Sequence, residues 1–137
     1  MNPMWCSVPF SQLSAAKVIK LLLVDDSAEF LRVAADFLST DPWVEVVGQA
    51  RSGRDALRRV VHLDPDLVIM DLDMPDMDGL EATRRIKSQP DSPYVIILTL
   101  YSATEYRVMA QESGANGYVV KSELGDRLLP LIHELCA

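Results

Sequence analysis

The sequence predicts an α/β fold in which one parallel sheet of five strands is covered by helices on both faces. Five short apolar runs alternate with segments of helical period, and no hairpin turn joins one run to the next, so the connections are right-handed crossovers. The 137 residues, 49% hydrophobic and 24% charged, suit one domain with one core, and no repeat, low-complexity tract or internal linker divides them.

The first predicted strand, Val18 to Val24, is closed by Asp25, Asp26 and Ser27, and Ser27 or Asp26 suits the N-cap of the helix that follows. Leu31, Ala34, Ala35 and Leu38 share one face of that helix, which Asp41-Pro42 ends. Val44 to Val47 reads as the second strand. Gly48 and Ser52-Gly53 then lead into a helix with Ala56, Leu57, Val60 and Val61 inward, stopped by Leu63-Asp64-Pro65. Leu67 to Met70 is the third strand and Gly79 to about Ser88 the third helix, with a turn over Gln89 to Pro93. Tyr94 to Leu98 forms a fourth strand ending at Thr99. The next helix, Thr104 to Ser113, places Tyr106, Met109 and Ala110 on one side. Gly114 and Gly117 flank the turn into the fifth strand, Tyr118 to Val120, and Lys121 stands at its end. The last helix turns Leu128, Leu131 and Leu135 inward, and Pro130 within it predicts a kink or a late start near Asp126.

A formal net charge of -7 disfavours direct binding to nucleic acid or to an anionic membrane surface. The longest nearly apolar run, Val18 to Val24, is interrupted by Lys20 and falls well short of the about 20 residues that span a bilayer. Cys6 and Cys136 have no metal-site spacing and form no disulfide framework, so both read as free thiols in a reducing cytoplasm. Residues 1–16 lack the basic start of a secretory signal and read as a flexible N-terminal extension before a domain over 17–137.

Chemistry concentrates where the third strand ends. Leu67 to Met70 runs into Asp71, Asp73, Asp76 and Asp78. In a parallel sheet every strand's carboxyl end lies on one edge, where open α/β folds bind ligands. Asp25, Asp26, Asp71, Thr99 and Lys121 can therefore converge. Unit charges about 4 Å apart cost roughly 4 kcal/mol at an effective dielectric of about 20, so a cluster of carboxylates calls for a cation. All-oxygen donors without His or Cys favour a hard ion, and Mg²⁺ suits their number. A carboxylate beside Mg²⁺ and a lysine is equipped for phosphoryl transfer. In that scheme Asp71 is the nucleophile that carries an aspartyl phosphate, Asp26 holds the metal directly and Asp25 through water. Thr99 and Lys121 bind phosphoryl oxygens.

Val24-Asp25-Asp26, the Asp71 to Gly79 stretch, Thr99 after four apolar residues, and Gly117-Tyr118-Val119-Val120-Lys121 together resemble the receiver domain of two-component response regulators. The resemblance covers about residues 17–137. It implies a flavodoxin-like, doubly wound sheet in the order 2-1-3-4-5 and Mg²⁺ bound in part by the backbone carbonyl of Asp73. Its implied phosphodonor is a phosphohistidine on a sensor histidine kinase or histidine phosphotransfer protein. Thr99 and Tyr118 would form a switch pair that changes the surface of the fourth helix, fifth strand and fifth helix. Ser122 after Lys121, where most receivers have proline, matches the NarL/FixJ-like branch and removes the usual reason for a cis bond. Leu100 stands where a small residue usually follows the switch threonine, with Tyr101 next to it, and the pair predicts a bulkier lid. Output would pass through a partner, a homodimer or a transcriptional effector. The chain reads either as a stand-alone regulator or as a receiver cut from a longer transcription factor.

Two readings stand beside this one. Asp71-Leu72-Asp73 also looks like the nucleophile motif of haloacid-dehalogenase-like phosphatases, but Pro75 stands where that motif has Thr or Val, and Asp25-Asp26 lies upstream where their acidic pair lies downstream. The other is a pseudo-receiver that binds partners without phosphate, although such chains usually lose an acid or the lysine. An EF-hand starting at Asp71 fails on Pro75, Asp76 and Ala82, and no Walker loop occurs. His62 and His133 read as solvent-facing or packing residues. The Arg54, Arg58, Arg59 and Arg84, Arg85 groups read as solvated helix faces.

Overall fold

A strand that is apolar on both sides must be covered on both, and the order of the elements follows from that demand. The structure, a computed structural model, describes residues 18–136; the expected extension over 1–16, with Cys6, lies outside them. Strands β1 (Ile19–Val24), β2 (Val44–Ala50), β3 (Leu67–Met70), β4 (Tyr94–Thr99) and β5 (Gly117–Val120) pair in parallel in the order β2-β1-β3-β4-β5. Helices α1 (Ala28–Leu38), α2 (Gly53–Leu63), α3 (Gly79–Lys87), α4 (Thr104–Glu112) and α5 (Leu124–Cys136) follow them in turn, and a 3-10 turn, Lys121–Glu123, precedes α5. The expected flavodoxin-like order is the observed one.

Alternate residues of the strands divide the core into two layers. Leu21, Leu23, Leu67, Ile69, Ile96, Leu98 and Val119 pack against Leu31, Ala34 and Leu38 of α1 and Leu128 and Ile132 of α5. Leu22, Val24, Val68, Met70, Val95 and Ile97 face the other way, onto Ala56 of α2, Ala82 and Ile86 of α3, and Ala110 of α4. Side-chain oxygens cap the three helices that start beside the carboxyl edge early in the chain: Ser27 accepts from the Phe30 amide, Ser52 from Asp55 and Asp78 from Glu81.

Several details depart from the pattern read in the sequence. Strand β2 runs on to Ala50 instead of stopping at Val47, because its register with β1 shifts between Leu21 and Leu22 and Gly48 lies within the strand, close against Leu63. Val61 is 79% exposed, since α2 turns Gly53, Ala56, Leu57, Val60 and Leu63 toward the core and leaves Val61 a quarter-turn off that stripe. Met109 is exposed while its neighbour Ala110 is buried, so α4 seats only its small residue tightly. In α5, Ile132 is fully buried, whereas Leu131 and Leu135 pack at its margin.

Helix α5 also starts at Leu124, ahead of Asp126, and carries Pro130 inside it. Proline in a helix interior costs about 3 kcal/mol, against about 1.5–3 kcal/mol gained by burying each of Leu128 and Ile132. Packing wins, and the lost hydrogen bond falls on the solvent side, where both Pro130 and Asp126 are exposed.

Between β1 and β3 the chain order reverses, which opens a crevice at their carboxyl ends. Val24 pairs with Met70, and the Asp71 amide donates to the Val24 carbonyl at 3.0 Å, so Asp25 and Asp71 emerge side by side. Helix α3 begins hard against this point: a Cβ on Gly79 would lie 2.0 Å from the Asp71 carbonyl oxygen. Gly79→Ala should therefore destabilise the fold by about 1–3 kcal/mol or more. Gly125→Ala, in α5 with open space around it, should stabilise by about 0.5–1 kcal/mol. Urea unfolding of both variants checks the pair.

Candidate functional site

The crevice is a cleft of about 460 Å³ lined by Asp25, Asp26, Ser27, Asp71, Asp73, Met74, Pro75, Thr99, Leu100, Tyr101 and Lys121. Asp25, Asp26, Asp71, Asp73, Thr99 and Lys121 meet here, from four different strand ends, whereas Asp76 pairs with Arg54 and Asp78 caps α3. A roomier cleft of about 750 Å³ lies at the opposite, amino edge around Lys20, Asp66 and Tyr94. The one group of three potential metal-binding side chains among the described residues is nevertheless Asp25, Asp26 and Asp71, whose oxygens come within 4.8 Å of one another.

Each acid sits in a different environment. Asp25 is 2% exposed; its Oδ1 accepts from the Ser27 amide at 2.9 Å, and its Oδ2 from Lys121 Nζ at 2.7 Å. Asp26 is exposed at the mouth. Asp71 is 5% exposed, with Lys121 Nζ 3.8 Å from its Oδ1. Burial, and then the charge of Asp25, push the Asp71 carboxyl up to about 6 against the pull of Lys121. Lys121 is held over the Phe30 ring at 4.1 Å, a contact the sequence did not signal because Phe30 belongs to the far side of the crevice, on α1.

The exposed Asp26 and the buried Asp25 and Asp71 offer only oxygen donors, clustered closely enough for one ion. The residues fit a hard divalent cation such as Mg²⁺, and a second cation there would relieve the repulsion that Lys121 only partly offsets.

Thr99 is fully buried at the end of β4, and its Oγ1 accepts from the Tyr101 amide at 3.4 Å. Its cross-strand partner is Val120; Tyr118 pairs with Ile97 instead. The expected neighbours Thr99 and Tyr118 thus lie on adjacent strands but two residues out of register, and what joins them is Tyr101. The Tyr118 hydroxyl donates to the Tyr101 carbonyl at 2.7 Å, while the Tyr101 hydroxyl donates to Asp73 Oδ2 at 3.1 Å. The Tyr101 ring stacks on Tyr106 with centroids 4.6 Å apart, and the Arg107 guanidinium lies 4.7 Å over the Tyr118 ring. The lid expected from Leu100 and Tyr101 divides its work. Both line the cleft; Tyr101 is tied across its mouth by its hydroxyl bond to Asp73, and Leu100 is 75% exposed at its rim. Sequence reasoning missed Tyr106 and Arg107 as members of this cluster, because their spacing looks like any helix surface.

His133, expected to be a solvent-facing or packing residue, lies with its Nε2 2.5 Å from Asp41 Oδ2, far from the cleft. The arginine groups pair on the surface with Asp55, Asp76 and Glu81 and add little to stability. Among the described residues no peptide bond is cis, so Lys121–Ser122 is trans.

This fold and this cluster of acids with a lysine define a class. Residues 21–133 match the response regulator receiver domain, and the chain belongs to that family, the receivers of two-component systems. It is 41% identical over 105 residues to the response regulator protein VraR of Staphylococcus saprophyticus, covering 76% of this chain and 50% of that protein. A protein-glutamate methylesterase/protein-glutamine glutaminase of Geobacillus kaustophilus is 42% identical over 106 residues, 77% of this chain and 30% of that protein. The chain thus spans half or less of these relatives. Among solved structures, a LuxR-family two-component response regulator from Aurantimonas aligns with a TM-score of 0.83 at 30% identity, covering 87% of this chain and 85% of that one. The response regulator domain of Thermotoga maritima CheB aligns with a TM-score of 0.80 at 28% identity, covering 86% and 96%. VraR and the LuxR-family regulator agree with the NarL/FixJ-like branch. The phosphatase and pseudo-receiver readings are not favoured.

The raised Asp71 has a consequence for stability. A carboxyl that titrates near 6 in the folded state, against 3.8 as its ordinary value, holds its proton longer folded than unfolded. It does not oppose folding below the ordinary value, and the folded state loses stability as pH rises through the window between the two. In chelator, Asp71→Asn should therefore gain on the parent from about pH 4 to about pH 7, by at most on the order of 2–3 kcal/mol. Urea unfolding at each pH measures the gap, and a constant gap would contradict it.

Proposed function

We propose that Asp71 is the phosphoacceptor of this receiver, taking a phosphoryl group from a phosphohistidine on a sensor histidine kinase or histidine phosphotransfer protein in the cytoplasm. The observation that carries the reading is the position of Asp71: a buried carboxylate on the floor of an open cleft, flanked by two further acids and a lysine. A carboxylate oxygen of Asp71 attacks phosphorus, the phosphorus–nitrogen bond of the donor breaks, and the imidazole, protonated on its other ring nitrogen in the donor, leaves neutral. Burial strips water from the nucleophile, and the pull of Lys121 keeps enough of it ionised to react. Held by the Asp26 and Asp71 carboxylates and the Asp73 backbone carbonyl, with Asp25 behind through water, Mg²⁺ would neutralise oxygens of the transferred group. Lys121 binds one phosphoryl oxygen and Thr99 donates its hydroxyl to another. Such a domain is a switch that catalyses its own phosphorylation and dephosphorylation.

The signal leaves through the strap at the mouth. Thr99 takes the Tyr101 amide, and Tyr101 holds Asp73 by its side chain and Tyr118 by its carbonyl. When the Thr99 hydroxyl turns to a phosphoryl oxygen, its contact with the Tyr101 amide changes, and Tyr118 and the surface of α4, β5 and α5 follow. A coupling of this kind is typically about 1–3 kcal/mol. Output through a homodimer, a protein partner or an attached effector, including a transcriptional one as the regulator relatives suggest, is a property of the whole protein.

Acetyl phosphate with Mg²⁺ should label the parent chain and not Asp71→Asn; mass spectrometry of the reduced acyl phosphate locates the group, and full labelling of the variant would sink the assignment. Asp26→Ala should lose Mg²⁺ binding and labelling together. Thr99→Ala should still be labelled, while the NMR shifts that beryllofluoride induces in Tyr118 and residues 104–113 shrink; equal shifts in both proteins would remove Thr99 from the relay.

A further inference from the structure

Asp26 is the acid most in need of positioning. It is exposed, and its backbone carbonyl precedes the N-cap Ser27, so helix α1 supplies that carbonyl with no hydrogen-bond donor. Arg51, in the turn after β2, supplies two: its Nη2 lies 2.8 Å and its Nε 3.3 Å from the Asp26 carbonyl oxygen. The turn that carries Arg51 is itself anchored by three contacts. The Asp25 amide donates to the Ala50 carbonyl at 3.1 Å. Gly53 is buried so close to the loop after β3 that a Cβ on it would lie 2.8 Å from the Met77 carbonyl oxygen. Arg54 Nε reaches Asp76 Oδ2 of the same loop at 2.6 Å. The β2–α2 turn therefore touches both loops that bear the acids, and Arg51 is the side chain through which it grips the exposed one.

We propose that Arg51 is a positioning residue for metal binding, fixing the peptide after Asp26 so that the Asp26 carboxylate is presented toward Asp71 before the ion arrives. Arg51 can act in this way only if Asp26 is a metal ligand, as proposed above. Its charge argues the other way, which makes the sign of the effect decisive. A guanidinium beside a divalent site repels the ion, so if charge alone mattered, removing it would tighten Mg²⁺ binding. If positioning matters, removing the donor weakens binding even though the repulsion falls.

Arg51→Met and Arg51→Gln separate the two, since both delete the charge at similar length but only glutamine keeps an N–H near the place of Nε. Calorimetric titration of the full chain with MgCl₂ should give a dissociation constant for Arg51→Met about five- to tenfold above that of Arg51→Gln, toward the low end of what groups supporting metal ligands contribute. Arg51→Gln should stay within about twofold of the parent or bind tighter. Thermal unfolding in chelator should be the same for both, as expected for an exposed side chain. Equal affinities for the two variants, or tighter binding by both to the same extent, would overturn the role of Arg51. Asp26→Ala, titrated in parallel, tells that outcome apart from an error about the site: if it binds Mg²⁺ as the parent does, Asp26 is no ligand and the metal reading fails first.

Discussion

Two carboxyls, Asp25 and Asp71, are buried side by side at the carboxyl edge of the sheet, and much of the molecule is arranged around that unfavourable fact. The backbone forces the arrangement: β1 and β3 pair with Val24 opposite Met70, so the next residue of each strand must share the crevice. Lys121, delivered from the end of β5 and braced on Phe30, is the compensating charge, but it lies 2.7 Å from Asp25 and 3.8 Å from Asp71. The closer acid takes most of the compensation, and Asp71 is left with a raised affinity for protons. A buried carboxylate short of positive charge is a receptive place for a metal ion, because the ion supplies the missing partner.

The mouth of the cleft is less general than its floor. Tyr101 spans it, with its hydroxyl on Asp73, its ring on Tyr106 and its carbonyl on the Tyr118 hydroxyl. One residue thus touches the pocket, helix α4 and strand β5. The hydrogen bond to Asp73 holds the Tyr101 phenol above its ordinary proton affinity, and with the stack on Tyr106 it ties the loop after β4 across the opening. Anything that enters the cleft must share space with that ring, since Tyr101 lines it.

The two faces of the sheet are not equivalent in this respect. Helices α1 and α5 meet it through large residues, among them Leu31, Leu38, Leu128 and Ile132. Helix α4 seats only Ala110 deeply and leaves Val108 and Met109 exposed. A helix held by little buried area shifts at small cost. The element nearest the Tyr101 and Tyr118 bonds is therefore one held by little buried area.

Much of this was legible in the sequence for a plain reason. Strand cores such as Leu67 to Met70 and Val95 to Leu98 are apolar because they are buried on both faces, and parallel pairing then brings their ends to one edge, so Asp25, Asp71, Thr99 and Lys121 could be gathered without coordinates. Periodicity also identified Leu31, Ala34, Leu38 and Leu128 as core. It failed where a choice depends on a neighbour: Val61 and Val60 are alike in sequence, and only the direction from which α2 meets the sheet leaves one in solvent. Strand β2 passes Gly48 because Leu63 packs against it, which no local propensity encodes. The same holds at the site. Residue types determined that an acidic, lysine-bearing cleft exists. Tertiary structure alone decided that Lys121 favours Asp25, that Tyr101 and not register joins Thr99 to Tyr118, and that Arg51 grips the Asp26 carbonyl, since those distances depend on how separate loops are seated against one another.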